Sequence, residues 1–434
     1  MQQRDNSTGS LERTSVIYAS GPIVNFFVVK ETLSVEQIRA HIPLLADLVY
    51  LDSSAACPTP RPVVQAMTDY WTRNPFNYYG GSSGLAFYKA SQRIAELCDR
   101  TRKDLAQFIG ADKNEVVFTR NTTHGINVVA QGLPLKSGDE VIISDIEHQS
   151  NHVPWLSLRS KGIKVRIVSA DNKGRINSRD VETALTERTR IISITAVSNI
   201  YGTVQPVAEI GRIAESRGIM FLVDAAQFVG RHPIDVKNLR CDFLVACGRK
   251  GLMGPQGIGF LYGKSSSLEQ LEPYELGGGS ASLTGIHDYE LADIPHRFES
   301  GIQNAPGIIG LGRGVRYIAD DIGLESISRN IRWLTKQLVR GLEAIPSVTV
   351  YGPKDPKLQP GIISFNVNGL DSGEVAARLD ARSRIIVAAG THGALHVMRK
   401  MGATGTIRAS IYCYNNEDDI SALLENIRIV AAAR

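Results

Sequence analysis

Cysteine is scarce in this sequence: five residues in 434, at Cys57, Cys98, Cys241, Cys247 and Cys413. They are scattered, odd in number and never form a CxxC pair, which argues against a disulfide scaffold or a zinc ribbon and for a reducing compartment. A surplus of either charge is missing too. Lys and Arg total 48 against 44 Asp and Glu, a net charge of +4. With no basic stripe and no interleaving of aromatic and basic residues, nothing points to a nucleic-acid partner. Long hydrophobic runs are also absent. The most apolar early stretch, residues 23–29, follows a polar leader containing Arg4, Asp5 and Glu12 and is broken upstream by Gly21-Pro22. It is too short to span a bilayer and makes a poor signal peptide, so the expectation is a cytoplasmic protein without membrane contact.

What is present is the material of a large globular protein. Apolar residues make up 43% and charged residues 21%, a balance that buries a core and excludes a disordered or collagen-like chain. At roughly 150 residues per domain the length implies two or three domains. From about Val116 short apolar runs alternate with helical patterns, the signature of a parallel sheet wrapped by helices. The strand candidates are 115–118, 140–144, 164–168, 190–197, 220–223, 242–246 and 259–262, several of them apolar without alternation, as strands covered on both faces are. Helices are expected at 123–131, 151–160, 179–186 and 207–217. The last two strands are joined through Gly254-Pro255-Gln256-Gly257 with no room for a helix, so this pair is a candidate for antiparallel pairing. After Gly301 the pattern changes to a helix-rich stretch over 308–344. Strands follow at 348–350, 362–367 and 406–412, with helices near 373–380 and 417–430, which reads as a smaller α+β domain. The expected division is an N-terminal segment of residues 1–50 packing on the small domain, a large domain of 51–305 and a small domain of 306–434.

Two segments carry the chemistry. Val223-Asp224-Ala225-Ala226-Gln227 puts a carboxylate at the carboxyl end of a buried strand, where ligands bind in open α/β sheets. By itself such an aspartate serves equally well as a helix cap. The second segment runs from Phe243 to Gly259 and contains Cys247-Gly248-Arg249-Lys250. A lysine directly after an apolar strand, in a glycine-rich bend beside an arginine, is poorly placed for a solvated surface role. The neighbouring cation is expected to lower its pKa and make the amine a nucleophile for an aldehyde cofactor. The competing reading is a basic loop that grips phosphate without covalent chemistry.

Asp224-Ala225-Ala226-Gln227, followed by Gly248-Arg249-Lys250 and Gly254-Pro255-Gln256-Gly257-Ile258-Gly259, resembles the class V aminotransferases. These are fold type I enzymes that use pyridoxal 5′-phosphate (PLP), and within them the chain most resembles the cysteine desulfurase and selenocysteine lyase branch, over about residues 51–417. The fold this resemblance implies is an α/β fold type I PLP-dependent transferase. It has a large domain with a mainly parallel seven-stranded sheet flanked by helices, plus a smaller α+β C-terminal domain. The same resemblance makes Lys250 the lysine that holds PLP, Asp224 the partner of the pyridine nitrogen, and His148 the histidine stacked over the ring. Gln227 and Asn199 are then hydrogen-bond partners of the ring oxygen, and Arg408 the clamp for the substrate carboxylate.

The phosphate end can also be read from the residues. Asn121-Thr122-Thr123-His124-Gly125 lies between a strand and a helix, where backbone N–H groups and a threonine hydroxyl converge on an anion. Thr123 is the leading ligand and Thr122 its neighbour. Cys247 and Arg249 stand where the resemblance has a serine and a histidine, so Arg249 replaces a neutral phosphate donor with a charged one. Arg297-Phe298-Glu299-Ser300-Gly301-Ile302-Gln303-Asn304 matches the segment that reaches a partner subunit's cofactor in homodimers of this kind. Ile302 replaces a common threonine there, which leaves Gln303 as the donor.

The resemblance breaks at the thiol that desulfurases use to carry sulfur away as a persulfide. Counting back from Arg408, Gly393 occupies the position of that cysteine and Ala388 that of a second arginine. His392 and His396 lie in the altered loop, with His392 a candidate substrate contact. Cys57 and Cys247 are weak substitutes for the thiol, because small buried cysteines are more often packing residues. The reading is therefore a PLP enzyme acting on an amino acid. Its preferred reaction is C–S cleavage of cysteine or an S-substituted cysteine by β-elimination without a persulfide. The alternatives are transamination, racemisation or decarboxylation of another amino acid, desulfuration through a non-standard cysteine, and a non-catalytic PLP-binding regulator. No metal is called for, and a homodimer is implied by the resemblance.

Overall fold

The computed structural model describes residues 32–76, 78 and 89–433, and the statements below concern those residues. Seven strands form the principal sheet, in the spatial order Val116–Thr119, Gly259–Gly263, Phe243–Cys247, Met220–Asp224, Thr189–Thr195, Glu140–Ser144, Lys164–Val168. All pairings are parallel except the two made by Gly259–Gly263, which runs antiparallel to both neighbours. The expected mainly parallel sheet is therefore present, and the short Gly254-to-Gly257 connection does reverse the chain. Alternate residues of each strand feed opposite faces, as a pleated strand requires. Phe221, Val223, Leu244, Ala246 and Phe260 join one apolar core, while Leu222, Phe243, Val245 and Leu261 join the other. Lys164–Val168, at the sheet edge, is the strand with most of its residues exposed, and it carries two charges as edge strands do.

A second, four-stranded antiparallel sheet has the order Val348–Val350, Ile362–Val367, Thr406–Ser410, Ala388–Gly390. Helices Leu324–Glu343, Ser372–Ser383 and Glu417–Ala432 place Leu338, Val375, Leu379, Leu423 and Ile427 against Ile363, Phe365 and Ile407. Val49-Tyr50 pairs in parallel with Ile385-Ile386 as a separate two-stranded sheet.

Several expectations are corrected. The helix expected at 151–160 is one turn, Val153–Ser157, between two 3₁₀ segments; Pro154 fits a first helical turn and cannot continue a longer one from upstream. The helix-rich stretch 308–344 divides into Ala305–Arg316, a π-helical Tyr317–Ile322 and Leu324–Glu343, with the break at Gly323, whose φ is +84°. Strand 406–412 ends at Ser410. Helices Arg61–Arg73 and Lys89–Ile109, the strand Ala388–Gly390 and the hairpin Ala281–Leu283/Tyr289–Leu291 were not anticipated. The early apolar stretch 23–29 lies outside the described residues. No helix among them is long and apolar enough to cross a membrane.

Candidate active site

The carboxyl ends of the parallel strands and the Thr406–Ser410 strand together line a cavity of about 480 Å³, the size of a small-molecule site. Asp224, the last residue of its strand, is 3% exposed, and its Oδ1 accepts the Ala226 N–H at 2.9 Å. Burial raises its pKa, opposed by that N–H and by the charge of Lys250. Lys250 lies three residues beyond Phe243–Cys247 in a turn closed by Met253 N–H to Lys250 O at 2.9 Å and Gly254 N–H to Gly248 O at 2.9 Å. Its side chain reaches the cavity while protein atoms crowd the amine. That desolvation is the main cause of its lowered pKa, with Cys247 and Asp224 opposing it and Arg249 and Arg408 adding to it. The adjacent cation assumed from sequence is thus a secondary cause.

At one end of the cavity, Asn121 caps the helix Thr122–Gly132 by accepting the His124 N–H at 2.9 Å. The helix seats closely on the sheet because residue 125 is glycine: a Cβ there would stand 2.8 Å from Val245. The Thr122 hydroxyl is buried without a partner, whereas the Thr123 hydroxyl donates to Ser150 Oγ at 2.8 Å. Arg249 and Gln256 also line the cavity. Arg120, at the rim, is ion-paired with Glu275 at 2.8 Å.

His148 is held from its Nδ1, which accepts the Ser150 N–H at 3.1 Å. Burial, then the charges of Lys250, Arg408 and Arg249, push its pKa down to about 4, so the ring is neutral at pH 7. Beside it Glu147 is wholly buried and accepts hydrogen bonds from Ser144, Asn151 Nδ2 and Thr195 N–H; burial pushes its pKa up to about 8.

Arg408 is 4% exposed, with Nη2 on Asp52 at 3.1 Å, Nη1 on the Asn199 carbonyl at 3.2 Å and Nε unpartnered. Asn199 Nδ2 in turn donates to the His392 carbonyl at 2.8 Å. His392 sits at a φ of +49°, and its Nε2 donates to the Thr406 carbonyl at 2.9 Å, leaving Nδ1 as an acceptor. Gln227 donates from Nε2 to Ser54 O at 3.0 Å, and its Oε1 is unpartnered.

Of the residues singled out from sequence, Lys250, Asp224, Gln227, His148, Asn199, Thr122, Thr123, Cys247, Arg249, Arg408 and His392 all line this one cavity. Gln303 does not; its amide donates to Ser300 O at 3.1 Å, and the neighbouring Ile302 is 63% exposed. Sequence reasoning missed Asp52, Ser54, Arg120, Ser150 and Gln256. Ser150 lay within the His148 motif, and its hydroxyl was the available signal.

The sequence signature of the aminotransferase class-V family matches residues 49–423. The chain belongs to that family. It is 41% identical over 399 residues to a probable cysteine desulfurase of Methanothermobacter thermautotrophicus, covering 91% of this chain and 98% of that protein. A cysteine desulfurase of Escherichia coli is 35% identical over 409 residues, covering 92% and 98%. The apo structure of a cysteine desulfurase from Thermococcus onnurineus superposes with a TM-score of 0.89 at 37% identity, covering 93% of this chain and all of that one. As a class V aminotransferase family member the protein is a PLP-dependent enzyme. Its cleft fits that group: an amine of lowered pKa and a buried carboxylate share the cavity, and the buried hydroxyl of Thr122 at a helix N-terminus lacks a partner.

Proposed function

We propose that the protein is a PLP-dependent lyase that cleaves the Cβ–S bond of cysteine or an S-substituted cysteine by β-elimination, with no persulfide formed on the enzyme. Substrate and one water give pyruvate, ammonia and sulfide or thiol. The relatives' shared name supports a sulfur amino acid as substrate. One observation carries the departure from desulfuration. By the resemblance, counted back from Arg408, the desulfurase thiol falls at Gly393, and a Cβ there would overlap Nε2 of His148. No thiol stands at that position.

The bound cofactor supplies an electron sink for negative charge at the substrate Cα. The chain's own residues do the rest. Asp224, buried and acceptor-only when ionised, would hold a proton on the ring nitrogen of the bound cofactor. Lys250, whose lowered pKa raises the neutral fraction of the amine, takes the Cα proton. Arg408 meets the substrate carboxylate with its free Nε–H, and its bonds to Asp52 and Asn199 fix the plane of the fork. Thr122 and Arg249 would hold the phosphate, with Thr123 beside them at the same helix end. The neutral His148 would cover the ring and exclude water from that face. We include in the proposal a cytoplasmic homodimer, with Gln303 serving a partner subunit's phosphate site. We also propose a cofactor-binding unit of residues 51–305, a smaller unit of 306–434 and an N-terminal segment of 1–50.

Cys247 lines the cleft and favours one competing reading, desulfuration through that thiol. Incubating the holoprotein with cysteine and with S-substituted cysteines, and assaying pyruvate, alanine and sulfide or thiol, separates the possibilities. Equal amounts of both support elimination. Keto acid formed only with an added 2-oxo-acid acceptor indicates transamination, and alanine as the product indicates desulfuration.

A further inference from the structure

We propose that Ser150 is a positioning residue that fixes the tautomer and orientation of the His148 ring and couples both to the anion end of the cleft. The inference rests on the reading of His148 as the ring over the cofactor. Three groups stand in a row. Thr123, in the first turn of Thr122–Gly132, donates its hydroxyl proton to Ser150 Oγ at 2.8 Å, and Ser150 Oγ lies 3.0 Å from His148 Nδ1. The Ser150 backbone N–H also reaches Nδ1, at 3.1 Å. A backbone N–H only donates, so Nδ1 is an acceptor and the proton of the neutral ring sits on Nε2. The Ser150 hydroxyl, its lone pairs turned to Thr123, is a second donor to the same nitrogen. The other side of the ring is closed by the Gly393 backbone, itself tied to this loop by Gln149 N–H to Gly393 O at 2.8 Å.

The row also divides the work of the two threonines. The proton of the Thr123 hydroxyl is committed to Ser150, while the Thr122 hydroxyl is buried and free. Thr122 is therefore the ready donor to an anion at the helix end, and Thr123 is the link. An anion that recruits the Thr123 proton takes it from Ser150, and the change is felt at His148 Nδ1. This reverses the order of importance assigned to the pair from sequence.

Four groups set the remaining field on His148: Lys250 and Arg249 from the turn after Phe243–Cys247, Arg408 from Thr406–Ser410, and His396 from Leu395–Met401. All four stay in place when Ser150 is changed. A donor to Nδ1 stabilises the neutral ring, so its loss raises the pH at which His148 takes up a proton.

The test uses full-length protein labelled with ¹⁵N-histidine, with His148 assigned by the signal lost in His148→Gln. In the parent protein we expect the Nε2–H tautomer and a change at Nδ1 on adding inorganic phosphate alone. Ser150→Ala is expected to raise the His148 titration midpoint by about one pH unit, the scale of one hydrogen bond, and to abolish the phosphate response. Ser150→Thr, which keeps the hydroxyl, is expected to restore both. A Ser150→Ala protein with the parent's tautomer, midpoint and phosphate response overturns the proposal. Borohydride reduction of the PLP-loaded protein is read separately: without an adduct on Lys250 the cofactor reading fails, and the spectra still decide the role of Ser150.

Discussion

A Cβ built on Gly393 falls inside the van der Waals envelope of the His148 ring, nearest Nε2, and Gly393 itself has a φ of +71°. The two residues follow strands of different sheets, yet the loop after Ala388–Gly390 closes on the ring only because position 393 has no side chain. Gly393→Ala therefore meets both backbone strain and overlap. We expect a stability loss of about 1–3 kcal/mol, measured by denaturant unfolding, and a fall in kcat of roughly tenfold or more as the ring is displaced. Gly393→Cys is expected to do the same and to gain no desulfurase activity.

The Asp52–Arg408 pair links residues 356 apart in sequence, with side chains 18% and 5% exposed. Removing one partner leaves the other charge in the interior. Arg408→Ala is expected to cost about 3 kcal/mol of stability. Arg408→Lys keeps the charge and loses the fork; it is expected to raise KM for the amino-acid substrate about tenfold, the worth of one charge-assisted hydrogen bond. Steady-state kinetics at fixed cofactor saturation measures it.

Four histidines, His124, His148, His232 and His392, have pKa values pushed down to about 4, chiefly by burial. Between that value and the unfolded value of about 6.5 the unfolded chain binds more protons than the folded one, so stability falls as pH falls through this window. The loss is expected to be on the order of 1 kcal/mol per histidine and to appear as a drop in Tm between pH 7 and pH 4.5. A flat Tm across that range would contradict these environments.

Lys250→Ala removes the only amine among the described residues that lines the cavity. Borohydride reduction in the presence of PLP is expected to label the parent at Lys250 and to leave the variant unlabelled, by peptide mass mapping. Turnover is expected to drop at least roughly 10²-fold through loss of the acid–base group.

The principal sheet was legible because most of its strands are apolar on both faces. Phe243–Cys247 and Glu140–Ser144 are buried throughout, and such runs stand out without alternation. Most of the cavity-lining residues were legible because they lie at or just beyond the carboxyl ends of those strands. Other features leave no local trace. Ala388–Gly390 has no side-chain pattern of its own and is a strand only through its pairing with Thr406–Ser410. Asp52 acquires its role from a partner brought near by the fold. The uneven roles of Thr122 and Thr123 depend on which hydroxyl reaches Ser150, which adjacent positions in a sequence do not distinguish. Desolvation of Lys250 is likewise a property of the packed turn, so sequence named the neighbouring arginine as the cause of its lowered pKa and missed the larger one.

The most direct test of the account is a single turnover experiment with cysteine on the PLP-loaded protein, followed by product analysis and intact-protein mass spectrometry on the same sample. Pyruvate and sulfide in equal amounts, with the protein mass unchanged, is the predicted result. Alanine together with a sulfur atom added to a cysteine of the protein would contradict it.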